Sequence, residues 1–414
     1  MKRFFSMVCI FAVLQIAMIN TACAETYLKI GLKYGNKSVS KCTLYSESGF
    51  YGFADGENVF SANEGKLTVK ATETGIEIRG AENCYYSLNN GLQTVEITPA
   101  SGEIIELDNI PYRGSVMFSF DVNGIKVINC VETESYLKSV VPSEMPASWH
   151  IEALKAQAVC ARNYALSNLN KYKSYGFDMD DTTANQVYKG VNSENENSSK
   201  AVEETKGISL MHDGKLVQTF FYSSGAGTTE DVKNVWGSEI PYLKSVAVPG
   251  EEVREWEEVF TAYDLTERMK KVGIDIGNVQ KIEITKRSEA GRVTEVIITG
   301  DKGEYKAERE KARTVFGLKS ALYDIEVSGN KSELPDISGY SPAVQGAVLG
   351  KYIFELLLNP LGFTEDAVYT FKGKGNGHAV GLSQYGAKAL AESGYTYEQI
   401  LTHFYTGSYI ESNQ

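Results

Sequence analysis

The chain has 414 residues, 43% apolar and 23% charged, and a formal charge of -12. That composition belongs to a folded protein long enough for two or three domains. So acidic a chain is excluded as a general nucleic-acid binder, whose affinity comes from neutralising phosphates; sugar polymers impose no such demand. Thirty-eight Gly and 25 Tyr favour turns and extended aromatic surface over a helical bundle.

The N-terminus reads MKRFFSMVCIFAVLQIAMINTACAETY: a basic start, an apolar run and the small-x-small triplet Ala22-Cys23-Ala24. This is the pattern of a secretory signal peptide, residues 1–24, with cleavage expected after Ala24. The alternative is an uncleaved membrane anchor. Loss of Lys2 and Arg3 leaves 39 basic against 53 acidic residues, or -14. The mature protein is expected outside the cytoplasm, in the cell wall, soluble or peripherally held at the membrane. Four cysteines then remain, Cys42, Cys84, Cys130 and Cys160, which allow three full pairings. A Cys42–Cys84 bridge is plausible, and Cys160, inside an apolar helical pattern, reads as a buried thiol.

From residue 25 to 130 short runs such as YLKIGLKY, KLTVKA, GIEIRG and VMFSF alternate apolar and polar side chains between Gly, Asn and Asp. Period-2 alternation predicts strands. The period then changes. Leu154, Ala158, Ala161, Ala165 and Leu169 form one helical face, with Ser148 as candidate N-cap and Glu152 in the first turn. Asp178, Asp180 and Asp181 cluster in a segment read as a solvated loop, since the glycine and terminal Glu of a calcium loop are missing. SLMHDGKLVQTFFYSS predicts a hairpin around Asp213-Gly214. Residues 251–325 read as an inserted α/β unit with a helix near 263–272, strands at VQKIEITKR and RVTEVIITG and a short final helix. Residues 326–342 form a connection, and 367–408 a glycine-rich loop followed by helices. The expected fold is mixed α+β: a β-rich region (25–90), a central core (91–250 and 326–414) and the inserted unit.

One stretch invites a chemical reading. In VVPSEMPASW, Glu144 stands between Pro142 and Pro146, which favour extended geometry at Val141 and Met145. A stiff segment limits the entropy lost in placing a reacting group. If Val140, Val141, Met145 and Trp149 shield the carboxyl, its pKa rises and it can be a protonated acid at neutral pH. The plainer reading is an ionised carboxylate at a helix start. Glu134 is either a helix-terminus charge or a second carboxylate that would make a hydrolase. In GKGNGHAVGLSQYGA, Gly373, Gly375, Gly377 and Gly381 permit close backbone approach. The segment has neither a dinucleotide nor a P-loop pattern.

PYRG (111–114), ESYLKSVVPSEMPASWHIEALKAQAVCARNYAL (134–166), TTANQVYKG (182–190), TTEDVKNVWGSEIPYLKSV (228–246) and GNGHAVGLSQYGAKALAESGYTYEQILTHFY (375–405) follow one another in order. Together they resemble the SpoIID/LytB family of bacterial cell-wall proteins. The resemblance implies an enzyme acting on peptidoglycan glycan strands, with Glu144 as the catalytic acid of a lytic transglycosylase. It also implies a cell-wall amidase as partner, or a noncatalytic glycan-binding or amidase-enhancing role. Tyr136, Gln186, Tyr188, Tyr222, Ser223, His378, Ser383, Gln384 and Tyr385 fall in the matching blocks as candidate substrate-binding or supporting residues. Some relatives bind zinc near FFYSSGAG. Here Tyr222 replaces the usual His and Gly225 the Ser or Cys, so no metal and no cofactor are expected. Ala226 and Ala379 stand where the relatives usually carry glycine, changes expected to tighten the groove.

Overall fold

The computed structural model describes residues 26–89, 94–102, 104–121, 123–328, 340–358 and 367–412. The expected signal, 1–24, and residues 329–339 of the expected connection lie outside them. Among the described residues the chain forms nine α-helices and 24 strands, a mixed and β-rich α+β fold.

The alternating N-terminal runs build two antiparallel sheets. One orders its strands Ile110–Arg113, Ile104–Leu107, Lys41–Tyr45, Lys66–Thr72, Gly75–Arg79 and Cys84–Asn89. The other runs Met179–Asp180, Tyr27–Lys33, Gly124–Glu132, Ser115–Asp121, Thr94–Pro99, Phe50–Ala54 and Glu57–Ala62, with only Met179–Asp180 parallel to its neighbour. Strands from both sides of residue 90 share each sheet. The inward side chains of both, Leu44, Val69 and Ile78 on one and Val95, Phe118 and Val127 on the other, lie in one core. All four cysteines are free thiols. The plausible Cys42–Cys84 bridge is not formed, because two strands separate theirs in the sheet.

From the strand Gly124–Glu132 the chain passes directly into helix α1 (Thr133–Glu144), capped by the Glu132 carboxylate on the Ser135 N–H at 2.8 Å. Pro142 and Val141 are helical, not extended. Burial of Tyr136, Leu137, Val140 and Val141 against the sheet outweighs the proline's lost N–H. Only Met145, before Pro146, is extended as expected. Helix α2 (Ile151–Ser167) buries Leu154, Ala158, Ala161 and Ala165. Its cap is the His150 ring, not Ser148, because the turn joining Trp149 N–H to Pro146 C=O delays the start. Leu169 lies beyond the helix and is exposed. Helix α3 (Glu196–Glu204) packs on α1 and α2, and the expected hairpin survives as the short pair Ile208–His212 and Lys215–Leu216.

After the one-turn helix α4 (Val232–Val235), residues 255–323 together with 368–374 have a core of their own, containing Leu265, Val296, Ile298, Phe316 and Phe371. Helix α5 (Ala262–Lys271), strands Val279–Arg287, Val293–Gly300 and Glu304–Glu308, and helix α6 (Lys311–Thr314) follow the expected order. Strand Val368–Lys374 completes this unit as the centre of a sheet between Glu255–Thr261 and Tyr323–Ser328. Helix α7 (Pro342–Leu358) has no counterpart in the sequence reading. Helices α8 (Gln384–Glu392) and α9 (Tyr397–Phe404) then return to α2.

Candidate active site

Glu144 is the last residue of α1, half-buried where that helix, the 186–189 segment and the start of α8 meet. Its Oε1 accepts the Val187 N–H at 2.8 Å, and its backbone carbonyl accepts Gln384 Nε2 at 3.0 Å. The side chain of Gln384 thus caps a carbonyl that the helix end leaves unpaired. Oε2 has no hydrogen-bond partner among the described residues. Burial raises the carboxyl pKa above the usual range; the Val187 N–H and the charge of Lys189 oppose that rise. The geometry is that of a proton donor with one oxygen fixed and the other presented.

Glu134 is not a second reacting carboxylate. It stands ten residues earlier on the same helix, roughly 15 Å away at 1.5 Å per residue. Both its oxygens bind Arg162, at 2.7 and 2.6 Å.

The candidates Tyr136, Gln186 and Tyr188 point into the core and cannot touch a sugar. Tyr136 Oη donates to Gln186 Oε1 at 3.2 Å, Gln186 Nε2 to the Ala161 carbonyl at 3.3 Å and Tyr188 Oη to Asn129 Oδ1 at 2.8 Å. Their role is to fix the segment that presents the Val187 N–H. Alternation of side chains through ANQVYKG hides this, since the residue that reaches Glu144 does so by its backbone. The Asp cluster is not solvated either. Asp178 accepts the Lys29 and Asn170 N–H groups, and Asp180 accepts Tyr34, Thr182 and Asn185.

His378, Tyr222 and Ser383 are packed rather than presented. The His378 ring lies 5.4 Å from that of Tyr222 and 5.1 Å from that of Trp236, and its Nδ1 accepts the Val380 N–H. Burial pushes its pKa down to about 4, so it is neutral at pH 7. Ser383 Oγ donates to Glu251 and accepts the Gly386 N–H, capping α8. The Ser223 carbonyl accepts the Tyr385 N–H at 3.0 Å. Tyr385 is part-exposed. Its ring meets Trp149 edge-on at 4.9 Å, and the Arg254 guanidinium lies 4.7 Å over it. The sequence reading named Trp149 only as a shield for the Glu144 carboxyl, not as a ring packed on Tyr385, and did not single out Arg254.

The glycine loop approaches as closely as its composition suggested. At Gly375 a Cβ would stand 2.6 Å from the Ser224 carbonyl oxygen, and at Gly377 2.7 Å from Tyr222 Cβ, with φ of 80° and 113°. Ala226 and Ala379, by contrast, hold φ of 58° and 65°. An L-residue there costs about 1–2 kcal/mol, of which glycine's chain entropy cancels about half. Ala226→Gly and Ala379→Gly are each expected to add up to about 1 kcal/mol of stability in urea titrations, and a loss would show these alanines to be unstrained.

The replacements at 222 and 225 belong together. A Cβ on Gly225 would lie 2.6 Å from Tyr222 Oη and 2.6 Å from the Thr228 carbonyl oxygen. The phenol therefore occupies the space a larger residue at 225 would need. Gly225→Ala is expected to cost about 1–3 kcal/mol by overpacking, and less in a Tyr222→Phe background. Equal costs in both backgrounds, from denaturant midpoints, would separate the two positions. Phenol and hydrogen do not fit a zinc ion, and among the described residues no three His, Cys, Asp or Glu side chains converge as ligands.

A profile of the stage II sporulation protein family, SpoIID, matches residues 121–212, and that of a domain of unknown function, DUF8618, matches residues 240–350. The chain is 31% identical over 380 residues to the amidase enhancer of Bacillus subtilis (strain 168), an alignment covering 88% of this chain and 51% of the relative. It thus spans about half of that protein's length. It is 29% identical to stage II sporulation protein D of Bacillus amyloliquefaciens, over 67% of this chain and 73% of that one. For stage II sporulation protein D of Bacillus subtilis (strain 168) the figures are 28%, 68% and 74%. The SpoIID match runs through α1 and Glu144, and together with these relatives it supports placing the chain in the SpoIID family.

Proposed function

We propose that this protein is an extracytoplasmic lytic transglycosylase that cleaves MurNAc-β-1,4-GlcNAc bonds of peptidoglycan and leaves 1,6-anhydroMurNAc ends. The observation that carries this reading is the partly buried Glu144, with Oε1 on the Val187 N–H and Oε2 without a hydrogen-bond partner among the described residues. Glycoside hydrolysis generally uses two carboxylates, one to activate water; one suffices when water is not a reactant. Glu144 gives its proton to the glycosidic oxygen as the C1–O bond breaks. The resulting carboxylate takes the proton of the sugar's C6 hydroxyl as that oxygen closes onto C1. The acid is regenerated within one turnover. Trp149 and Tyr385 would form the wall on which the glycan lies. Peptide-stripped glycan is the proposed preferred form, with a cell-wall amidase as partner.

The second reading is a noncatalytic amidase enhancer that binds glycan, favoured by the 88% of this chain aligned with a relative of that name. Intact and peptide-free glycan strands digested with protein and with Glu144→Gln, and read by mass spectrometry, separate the two. Ends one water lighter than hydrolysis products, absent with Glu144→Gln, are expected. Binding without any new ends would favour the enhancer.

A further inference from the structure

The inserted unit carries a buried cation that no step above uses. Arg292 closes the turn between Val279–Arg287 and Val293–Gly300, is 3% exposed and points out of its own unit into the core. Its Nη2 donates to the Gly225 and Thr228 carbonyls, each at 2.6 Å, and its Nη1 to the Thr229 carbonyl at 3.3 Å. The loop's amides face a different partner. Glu251, 7% exposed, accepts the Gly225 N–H at 2.8 Å and the Gly227 N–H at 2.7 Å. One bridge, Thr228 beside Ala247, pairs the Thr229 N–H with the Val246 carbonyl and the Gly227 carbonyl with the Val248 N–H; the loop's other buried polar groups must be satisfied through side chains. Here a guanidinium fork takes the carbonyls and a carboxylate the amides.

The chain of contacts does not stop there. Glu251 also accepts Ser383 Oγ, Ser383 caps α8, and the next residue, Gln384, holds the Glu144 carbonyl. The same hairpin turn has a second hold, Ser288 Oγ on Glu230, whose N–H binds the Ala379 carbonyl of the His378 loop.

We propose that Arg292 is a positioning residue for Glu144: the inserted unit fastens the 225–229 loop from outside, and Glu251, Ser383 and Gln384 carry that placement to the end of α1. The inserted unit is thereby a working part of the site. The proposal rests on the catalytic reading for its kinetic arm only.

Arg292→Lys and Arg292→Met are compared with wild type and with Arg287→Gln, a control at the last strand residue before the same turn, whose guanidinium faces Gly291, Tyr323 and Asp324 instead of the 225–229 loop. Assays are run below every variant's thermal transition. A shift of about 1 Å in a reacting group can cost around 100-fold, so kcat is expected to fall 10- to 100-fold in Arg292→Met with KM within threefold. The pH–rate profile should also shift. Arg292→Lys should recover only part of kcat, and Arg287→Gln should match wild type. Hydrogen exchange read by NMR supplies the arm independent of catalysis. The Gly225, Gly227 and Gly386 amides, protected in wild type, should exchange faster together in Arg292→Met. Should wild type cleave no glycan, the catalytic reading fails while the exchange arm still decides. Faster exchange confined to Gly225 and Gly227, or unchanged kcat and pH profile in folded Arg292→Met, overturns the proposal.

Discussion

Glu144→Gln is expected to reduce glycan cleavage by roughly 10²–10⁴-fold, the usual worth of a general acid, and to make the protein more stable at neutral pH. Glutamine keeps an oxygen for the Val187 N–H, so loss of activity would not reflect unfolding. The stability gain follows from the direction of the pKa shift. Burial raises the carboxyl in the folded state above its unfolded value, which is about 4.3. The contribution is therefore fully present below the unfolded pKa and is lost as pH rises through the folded one. Wild type and variant should melt alike in acid and diverge toward pH 7, with the variant higher. Cleavage by wild type should fall as pH rises through the Glu144 pKa, because the donor loses its proton. Lys189 holds that pKa down, so Lys189→Gln should move the alkaline limb to higher pH. A limb that stays put or moves lower would remove Glu144 as the titrating acid.

The elements that could be read from the sequence are those whose period decides burial within one segment. The alternating strands from Tyr27 to Glu132, the alanine face of α2 and the order of α5 and the three strands after it all follow from local pattern. Helix α1 did not, because Pro142 argued for extended chain while the decisive term, burial of Tyr136, Leu137, Val140 and Val141, is tertiary. Glu144 was placed correctly ahead of α2 but in an extended segment, whereas it is the last residue of α1. The supporting shell was less accessible still. Arg292 meets residues more than 60 positions away, and Gln384 meets a residue 240 positions away. No period encodes such pairs. Gln186 and Tyr188 were singled out for side chains that turn inward, whereas the contribution of their segment is one backbone N–H.

Removal of either partner of the Glu134–Arg162 pair is expected to destabilise the protein by about 3–5 kcal/mol, because it strands a buried charge. Arg162 is 2% exposed and also donates to the Ile208 carbonyl at 3.1 Å. The pair ties the first turn of α1 to the middle of α2, and so sets where the far end of α1, with Glu144, comes to rest. Glu134→Ala should lower the denaturant midpoint sharply, and the Glu134→Leu/Arg162→Met double variant much less than the sum of its singles, since an apolar pair of similar volume strands no charge. The same substitutions test the chemistry. If Glu134 only braces the helix, folded Glu134 variants still leave anhydro ends, at a reduced rate. If it were the water-activating carboxylate of a hydrolase, wild type would leave reducing MurNAc ends and the Glu134 variants none. The bidentate arginine and the roughly 15 Å of helix between the two carboxylates favour the first result, because a general base must reach the substrate that the acid protonates.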